Sequence, residues 1–307
     1  MRIATFNLQN LRLRERQDQL VLDGAVDHDF DDHPRSIEQD ILDRELTAKV
    51  IAGVQADIVA LQEVFDEKTL EYFCDHFLVP AGAPDYPIRI CLPGNDGRGL
   101  DVAVLATIKP LKVKSHAHLT GADFGLDELP DGLRDRPLFR RDCLQVDFET
   151  FTLFVCHFKA PYPDTEKAYL VREAEAHAVR KIVEARFPEP ETARWIILGD
   201  FNEPEMSNVN QPSALAQLRQ GFAVGLLDRM KPGTDWTFEV PDTHVQSRPD
   251  RILLSPKLAM EYSEAMPQIV RTGMRRSLAD TTEAGHTVQS NSHASDHALV
   301  YVALPDL

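Results

Sequence analysis

Short apolar or β-branched runs recur along the chain, at Arg2 to Phe6, Ile58 to Leu61, Val102 to Leu105, Phe151 to Cys156, Trp195 to Leu198, Ile252 to Leu254 and Ala298 to Val302. Each is of strand length. Helix-period patterns lie between them. The clearest begins at Ser36, where Gln39 completes a capping box, and continues with Leu42, Leu46, Val50 and Val54 at every fourth position. That stripe is predicted to pack on a sheet. A second helix is predicted to start near Asp164 and to carry Val171, Ala174, Ala178 and Ile182 on one face, with Pro188 and Pro190 beyond its end. No internal repeat, linker or composition shift divides the chain, so residues 1–307 are expected to form one domain. The irregular stretches His28 to Pro34, Gly121 to Pro137 and Thr272 to Ser295 read as surface loops.

Composition narrows the class without naming the chemistry. A length of 307 residues at 43% hydrophobic content is that of an ordinary globular protein. The opening Met1-Arg2-Ile3-Ala4-Thr5-Phe6-Asn7 lacks the apolar run of a signal peptide, and no segment has the length of a membrane span. A cytoplasmic protein without stable membrane association is therefore expected. Cys74, Cys91, Cys143 and Cys156 are scattered without metal-site spacing and read as reduced, structural residues. The balance of 33 basic against 49 acidic side chains, a net of -16, gives a surface that repels polyanions over most of its area. A nucleic-acid substrate would have to be held locally.

Candidate chemistry sits where the apolar runs begin or end: Asn7, Glu63, Asp101, His157, Asp200, Asn202, Asp250, Asp296 and His297. Strand ends gather on the rim of a sheet, so residues distant in sequence can converge there. In Leu198-Gly199-Asp200-Phe201-Asn202-Glu203-Pro204 a carboxylate and an amide lie two apart and share a face of extended chain. Such a pair can orient and deprotonate a water while the amide binds a phosphoryl oxygen; the bland alternative is an Asx turn after a strand. Glu63 ends another apolar run and is a hard oxygen ligand of the kind Mg²⁺ prefers, to which Asn7 could add a carbonyl oxygen. His297 leads into the last strand, with Asp250 as a candidate to fix its tautomer. His157 offers a second imidazole, with Asp101 as a candidate partner and Arg98 and Lys159 as candidate cations for a substrate phosphate.

Taken together, Thr5-Phe6-Asn7, Leu61-Gln62-Glu63-Val64, Cys156-His157-Phe158-Lys159, Gly199-Asp200-Phe201-Asn202, Arg248-Pro249-Asp250-Arg251 and Ser295-Asp296-His297 resemble, in order, the motifs of the endonuclease/exonuclease/phosphatase superfamily. The resemblance implies a four-layer α/β sandwich, two mixed sheets face to face with helices outside. It implies that Glu63 holds Mg²⁺ or Mn²⁺ with Asn7 beside it and Asp296 supporting the metal side. Asp200 would activate the attacking water, Asn202 would bind the phosphoryl oxygen, and His297 paired with Asp250 would stabilise charge on the phosphate. A histidine at position 157 resembles the deoxyribonuclease-I-like and sphingomyelinase-like members, in which a carboxylate pairs with it.

Two features depart from the compact family pattern: an acidic insertion with Asp27, His28, Asp29, Asp31, Asp32 and His33, to which no metal is assigned, and a loop before Asp296 carrying Arg271, Arg275 and Arg276. The leading expectation is a metal-dependent nuclease-like phosphodiesterase acting on nucleic acid, with no protein partner. The alternatives are a phosphoesterase for a small ester, inositol phosphate or lipid head group, and a non-catalytic scaffold, which would have no need of a complete set of metal, water and phosphate groups.

Overall fold

The computed structural model describes residues 1–25, 37–126, 128–129, 131–204, 212–240, 243–274 and 292–307. The acidic insertion from Asp27 to His33, the cap at Ser36, and Arg275 and Arg276 lie outside the described residues.

In chain order the strands are β1 (Arg2–Leu11), β2 (Leu13–Arg16), β3 (Gln19–Leu22), β4 (Ile58–Val64), β5 (Ile88–Cys91), β6 (Asp101–Ala106), β7 (Lys112–Lys114), β8 (Cys143–Asp147), β9 (Thr152–His157), β10 (Trp195–Asp200), β11 (Val224–Gly225), β12 (Phe238–Glu239), β13 (Gln246–Ser247), β14 (Asp250–Leu254), β15 (Gln268–Val270) and β16 (Leu299–Ala303). The helices are α1 (Ile37–Val54), α2 (Glu67–Phe73), the single turn α3 (Asp131–Arg134), α4 (Thr165–Arg186), α5 (Ala216–Arg219) and α6 (Pro256–Glu261). Each apolar run of the sequence becomes a strand.

Two six-stranded sheets form, in the orders β15-β16-β1-β4-β6-β5 and β11-β14-β10-β9-β8-β7. Both are mixed: β1 pairs parallel with β4 and antiparallel with β16, and β10 pairs parallel with β9 and antiparallel with β14. Ile3, Ile58, Ala60, Val102 and Val104 from one sheet meet Leu144, Val155, Ile196, Leu198 and Ile252 from the other in a shared dry core. On the outer faces, Ala4, Phe6, Val59 and Leu61 pack with Ala48, Ile51 and Val54 of α1, and Phe154, Cys156, Trp195 and Ile197 pack with Ala178, Val179 and Ile182 of α4. The layers are helix, sheet, sheet, helix.

Alternation of side chains along a strand explains where the polar residues go. The inward row of β1 runs Ile3, Thr5, Asn7, that of β9 runs Leu153, Val155, His157, and that of β10 runs Ile196, Leu198, Asp200. Each row starts in the inter-sheet core and ends on a buried polar residue. Strand pairing then sets His157 and Asp250 on either side of Asp200 in one register row.

Helix α4 follows its pattern: Asp164 caps it by accepting from the Lys167 N–H, and Val171, Ala174, Ala178 and Ile182 are buried. Helix α1 does not. Val50 and Val54 are buried, but Leu42 is 45% exposed and the buried face also carries Asp40, Asp43, Arg44 and Thr47. Asp43, Arg44 and Thr47 bind the backbone of Ala25, Leu8 and Ala294, and Asp40 accepts from Arg16, so polar contacts share the buried side of the helix with the apolar ones. The 121–137 stretch, expected as loop, contains a short 3-10 turn and α3. All four cysteines are free and buried. Among the described residues, no helix is long and apolar enough to cross a membrane.

Candidate active site

Unusual backbone delivers the site residues. Strands β4 and β6 pair up to Gln62 with Val102 and resume at Val64 with Asp101, so Glu63 is the extra residue of a bulge, at φ 64°. Asn202 at φ 49° and the consecutive Gln9 and Asn10 at φ 48° and 57° also adopt the left-handed region. Such conformations cost about 1–3 kcal/mol each and persist where surrounding contacts over-determine them. Gly199, at φ 139°, allows β9 and β10 to approach: a Cβ there would lie 1.9 Å from the Cys156 carbonyl oxygen.

Asp200 is the hub. Its Oδ1 accepts from the Asn202 N–H at 2.8 Å, and its Oδ2 accepts from Asn7 Nδ2 at 3.0 Å and Asn202 Nδ2 at 3.2 Å. His157 Nε2 lies 3.5 Å and His297 Nε2 3.9 Å from the same Oδ2. Burial, reinforced by the neighbouring Asp250, pushes its carboxyl up to about 6, against the opposing pull of His297 and the Asn202 and Asn7 donors.

On one side of the hub, His297 Nδ1 is 2.9 Å from Asp250 Oδ2, which also accepts from Thr237 Oγ1 at 2.6 Å. The Phe238 ring packs 5.0 Å from the imidazole. Burial alone would lower the His297 pKa, but the carboxylates of Asp250, Asp200 and Asp296 outweigh it and raise the value well above that of an ordinary histidine. His297 is therefore an imidazolium near neutral pH.

His157 on the other side is its electrostatic opposite. Burial, with Arg141, His297 and Arg98 nearby, holds it well below the ordinary histidine value, so its ring is neutral. Its Nε2 is 3.9 Å from Glu63 Oε1, and its Nδ1 has no hydrogen-bond partner among the described residues. Glu63 in turn accepts from Asn7 Nδ2 at 3.3 Å and the Asn10 N–H at 2.9 Å. The Asp296 carboxyl is raised by burial and by Glu63, which places the two acids in mutual range, and the Asp296 N–H is held by Gln9 Oε1.

The other expected residues are engaged with partners that the sequence did not show. Asp101 does not pair with His157: its Oδ1 accepts from the Gly94 N–H, and it ends β6 in the sheet opposite to the one that carries His157 on β9. Asn7 turns its amide nitrogen to Glu63 and Asp200, while its Oδ1 accepts from the Gln9 N–H. Lys159 directs its ammonium to the carbonyls of Ala160 and Tyr162. Asn202 gives its amide nitrogen to the Phe158 carbonyl as well as to Asp200. Arg98 contacts Asp96 and keeps a side chain 47% exposed, within electrostatic range of His157. Arg271, from the expected basic loop, lies over the Trp236 ring and donates to the Trp236 carbonyl. Thr237, Phe238, Gln9 and Arg44 carried no motif and were not anticipated; only their contacts reveal them.

The donor set suits a hard divalent cation, since the buried Asp200 and Asp250 and the partly exposed Glu63 and Asp296 all offer carboxylate oxygens around the two histidines. Among the described residues, one trio has ligand atoms all within 4.8 Å of one another, Asp200, Asp250 and His297. A protonated imidazole has no lone pair to give, so His297 fits an acid better than a ligand, which leaves Glu63 and Asp296 as the accessible oxygen donors.

A family model described as Endonuclease/Exonuclease/phosphatase family matches residues 4–297. Solved structures agree in fold. An endonuclease/exonuclease/phosphatase family protein from Leptotrichia buccalis C-1013-b is 16% identical, with 99% of this chain and 98% of that one covered at a TM-score of 0.58. An AP endonuclease from Archaeoglobus fulgidus is 17% identical, with 99% of each chain covered at 0.54. A mannosyl-6-phosphatase of Bacteroides thetaiotaomicron VPI-5482 is 15% identical, with 99% and 98% covered at 0.54. No curated protein matches the chain in sequence. With the family match spanning nearly its whole length and the motif residues of both sheets gathered around Asp200, the chain belongs to the endonuclease/exonuclease/phosphatase family of phosphoesterases.

Proposed function

We propose that this chain is a Mg²⁺- or Mn²⁺-dependent phosphodiesterase, and that its substrate is a nucleic-acid phosphodiester held at the rim between the two sheets. The observation that carries the reading is the buried Asp200 carboxylate bracketed by two histidines, with His157 Nε2 at 3.5 Å and His297 Nε2 at 3.9 Å from its Oδ2 and His297 Nδ1 held 2.9 Å from Asp250. Two proton-handling groups flanking a carboxylate suit hydrolysis of a phosphate ester, whose leaving alkoxide needs a proton.

Glu63 and Asp296 would hold the metal, which when bound supplies charge neutralisation at the phosphate. Asp200, with a carboxyl near 6, is ionised at neutral pH yet basic enough to accept a proton from a water aimed at phosphorus. Asn7 and Asn202 keep its two oxygens in place. As the phosphorus–oxygen bond to the leaving group breaks, His297 donates its Nε2 proton to that oxygen or hydrogen-bonds the phosphoryl oxygens, while Asp250 holds Nδ1 and Thr237 holds Asp250. Arg98 is the exposed cation best placed to meet a phosphate, which suits a protein of net charge -16 that must grip a polyanion locally.

A small phosphate ester is the second reading, supported by the likeness to a mannosyl-6-phosphatase of the same fold. Assays on single-stranded DNA, duplex DNA, RNA, bis-p-nitrophenyl phosphate and hexose 6-phosphates, each with Mg²⁺, Mn²⁺ or chelator, separate the two. Cleavage of a polynucleotide and of the diester with little release from the monoesters is the expected result, and the reverse preference would replace the nuclease reading.

A further inference from the structure

We infer that Arg44 of α1 is a positioning residue for the metal-side carboxylates, fixing through a single backbone turn both Glu63 and Asp296 while touching neither. The inference rests on the reading of those two acids as metal ligands.

Arg44 is wholly buried, and among the described residues its guanidinium donates to main-chain carbonyls. Nε donates to Asp23 at 2.5 Å, Nη1 to Leu8 at 2.7 Å, and Nη2 to Gln9 at 2.8 Å, Gly24 at 2.8 Å and Asn10 at 3.2 Å. Three successive carbonyls, of Leu8, Gln9 and Asn10, thus converge on one cation. Without it their dipoles would repel, and neither Gln9 nor Asn10 would be drawn into its left-handed conformation. Burial lowers Arg44 to about 10, with Asp43, Asp23 and Asp40 opposing the shift, so it stays charged at neutral pH.

The turn so fixed has two outputs. The Asn10 N–H donates to Glu63 Oε2 at 2.9 Å, and Gln9 Oε1 accepts from the Asp296 N–H at 2.9 Å. The same face of α1 secures the chain leading to Asp296: Asp43 Oδ1 accepts from the His293 N–H at 2.8 Å, and Thr47 Oγ1 donates to the Ala294 carbonyl at 2.7 Å. Lysine cannot replace this residue, because its donors radiate from one atom whereas the guanidinium spreads five donors in a plane.

The test is Mn²⁺ binding to the full chain, followed by loss of the free Mn²⁺ electron paramagnetic resonance signal, in wild type, Glu63→Gln, Arg44→Lys and Gln9→Met. Circular dichroism checks the fold, and KM for bis-p-nitrophenyl phosphate is measured at saturating Mn²⁺. The expected result is that Arg44→Lys and Gln9→Met each weaken Mn²⁺ binding by about 10-fold or more, with KM at saturating metal unchanged. Gln9→Met leaves the guanidinium in place and removes only the acceptor for Asp296, so it decides the matter if Arg44→Lys fails to fold. Wild-type Mn²⁺ affinity in the folded variants, with Glu63→Gln impaired, would overturn the positioning role alone. Mn²⁺ binding that Glu63→Gln leaves intact, or no uptake by wild type, would overturn the ligand reading and the inference with it.

Discussion

His297 Nδ1 lies 2.9 Å from Asp250 Oδ2, and this contact lets a buried imidazole keep its proton against the desolvation that would otherwise strip it. Asp250 therefore sets the pH range in which His297 can act as an acid. The variant Asp250→Asn keeps the shape and removes the charge, so His297 should lose its proton at lower pH. The alkaline limb of kcat/KM against pH should move down, and turnover at pH 8 should fall about 100-fold or more. A limb that stays in place would detach Asp250 from this role.

Glu175 supports the site from below. Its two oxygens accept from the Arg140 and Lys159 N–H groups, at 3.0 and 2.8 Å, in a wholly buried position on α4. Burial outweighs those donors and nearby arginines and raises its carboxyl from 4.5 to about 7. A raised acid contributes stability that is complete below 4.5 and is lost as pH rises through about 7. Wild type should lose stability relative to Glu175→Gln between pH 5 and 8. Urea midpoints of both proteins across that range measure it.

Gly199 is the tightest packing point at the site. With a Cβ placed 1.9 Å from the Cys156 oxygen, Gly199→Ala must push β9 and β10 apart where His157 faces Asp200. A loss of about 3 kcal/mol or more is expected, together with loss of turnover. Thermal unfolding and activity of the same preparation test both.

Arg98 and Lys159 should behave differently although both were read as phosphate-binding cations. Arg98→Ala should raise KM about 10-fold at nearly constant kcat, as loss of a ground-state phosphate contact does. Lys159 is engaged with the carbonyls of Ala160 and Tyr162, so Lys159→Met should lower the unfolding temperature more than it alters KM. Steady-state kinetics beside thermal melts distinguish the two.

Much of this arrangement was legible in the sequence because a strand has a period of two. A run such as Ile196-Ile197-Leu198-Gly199-Asp200 states both that it is a strand and that its last inward residue is a carboxylate, and the same logic delivers Asn7 and His157. What was illegible lies in contacts made by residues that look ordinary. Leu46, Val50 and Val54 form the expected apolar seam on α1, but Asp43, Arg44 and Thr47 beside them bind the backbone of His293, Leu8 and Ala294, and polar groups satisfied by main chain leave no periodic trace. Asp101 sat at a strand end as expected, yet its carboxylate is taken by the Gly94 N–H, and the bulge that makes Glu63 an extra residue of β4 cannot be read from composition either.

The central claim is that the buried rim around Asp200 and His297 hydrolyses phosphodiesters with a divalent metal. Hydrolysis of bis-p-nitrophenyl phosphate by wild type, Asp200→Asn and His297→Ala, each with Mg²⁺, Mn²⁺ or excess chelator and each checked for cooperative unfolding, tests it most directly. The expected result is metal-dependent turnover in wild type, abolished by chelator and reduced about 1000-fold or more in both folded variants. Turnover that survives chelator, or that is unchanged in both variants, would contradict it.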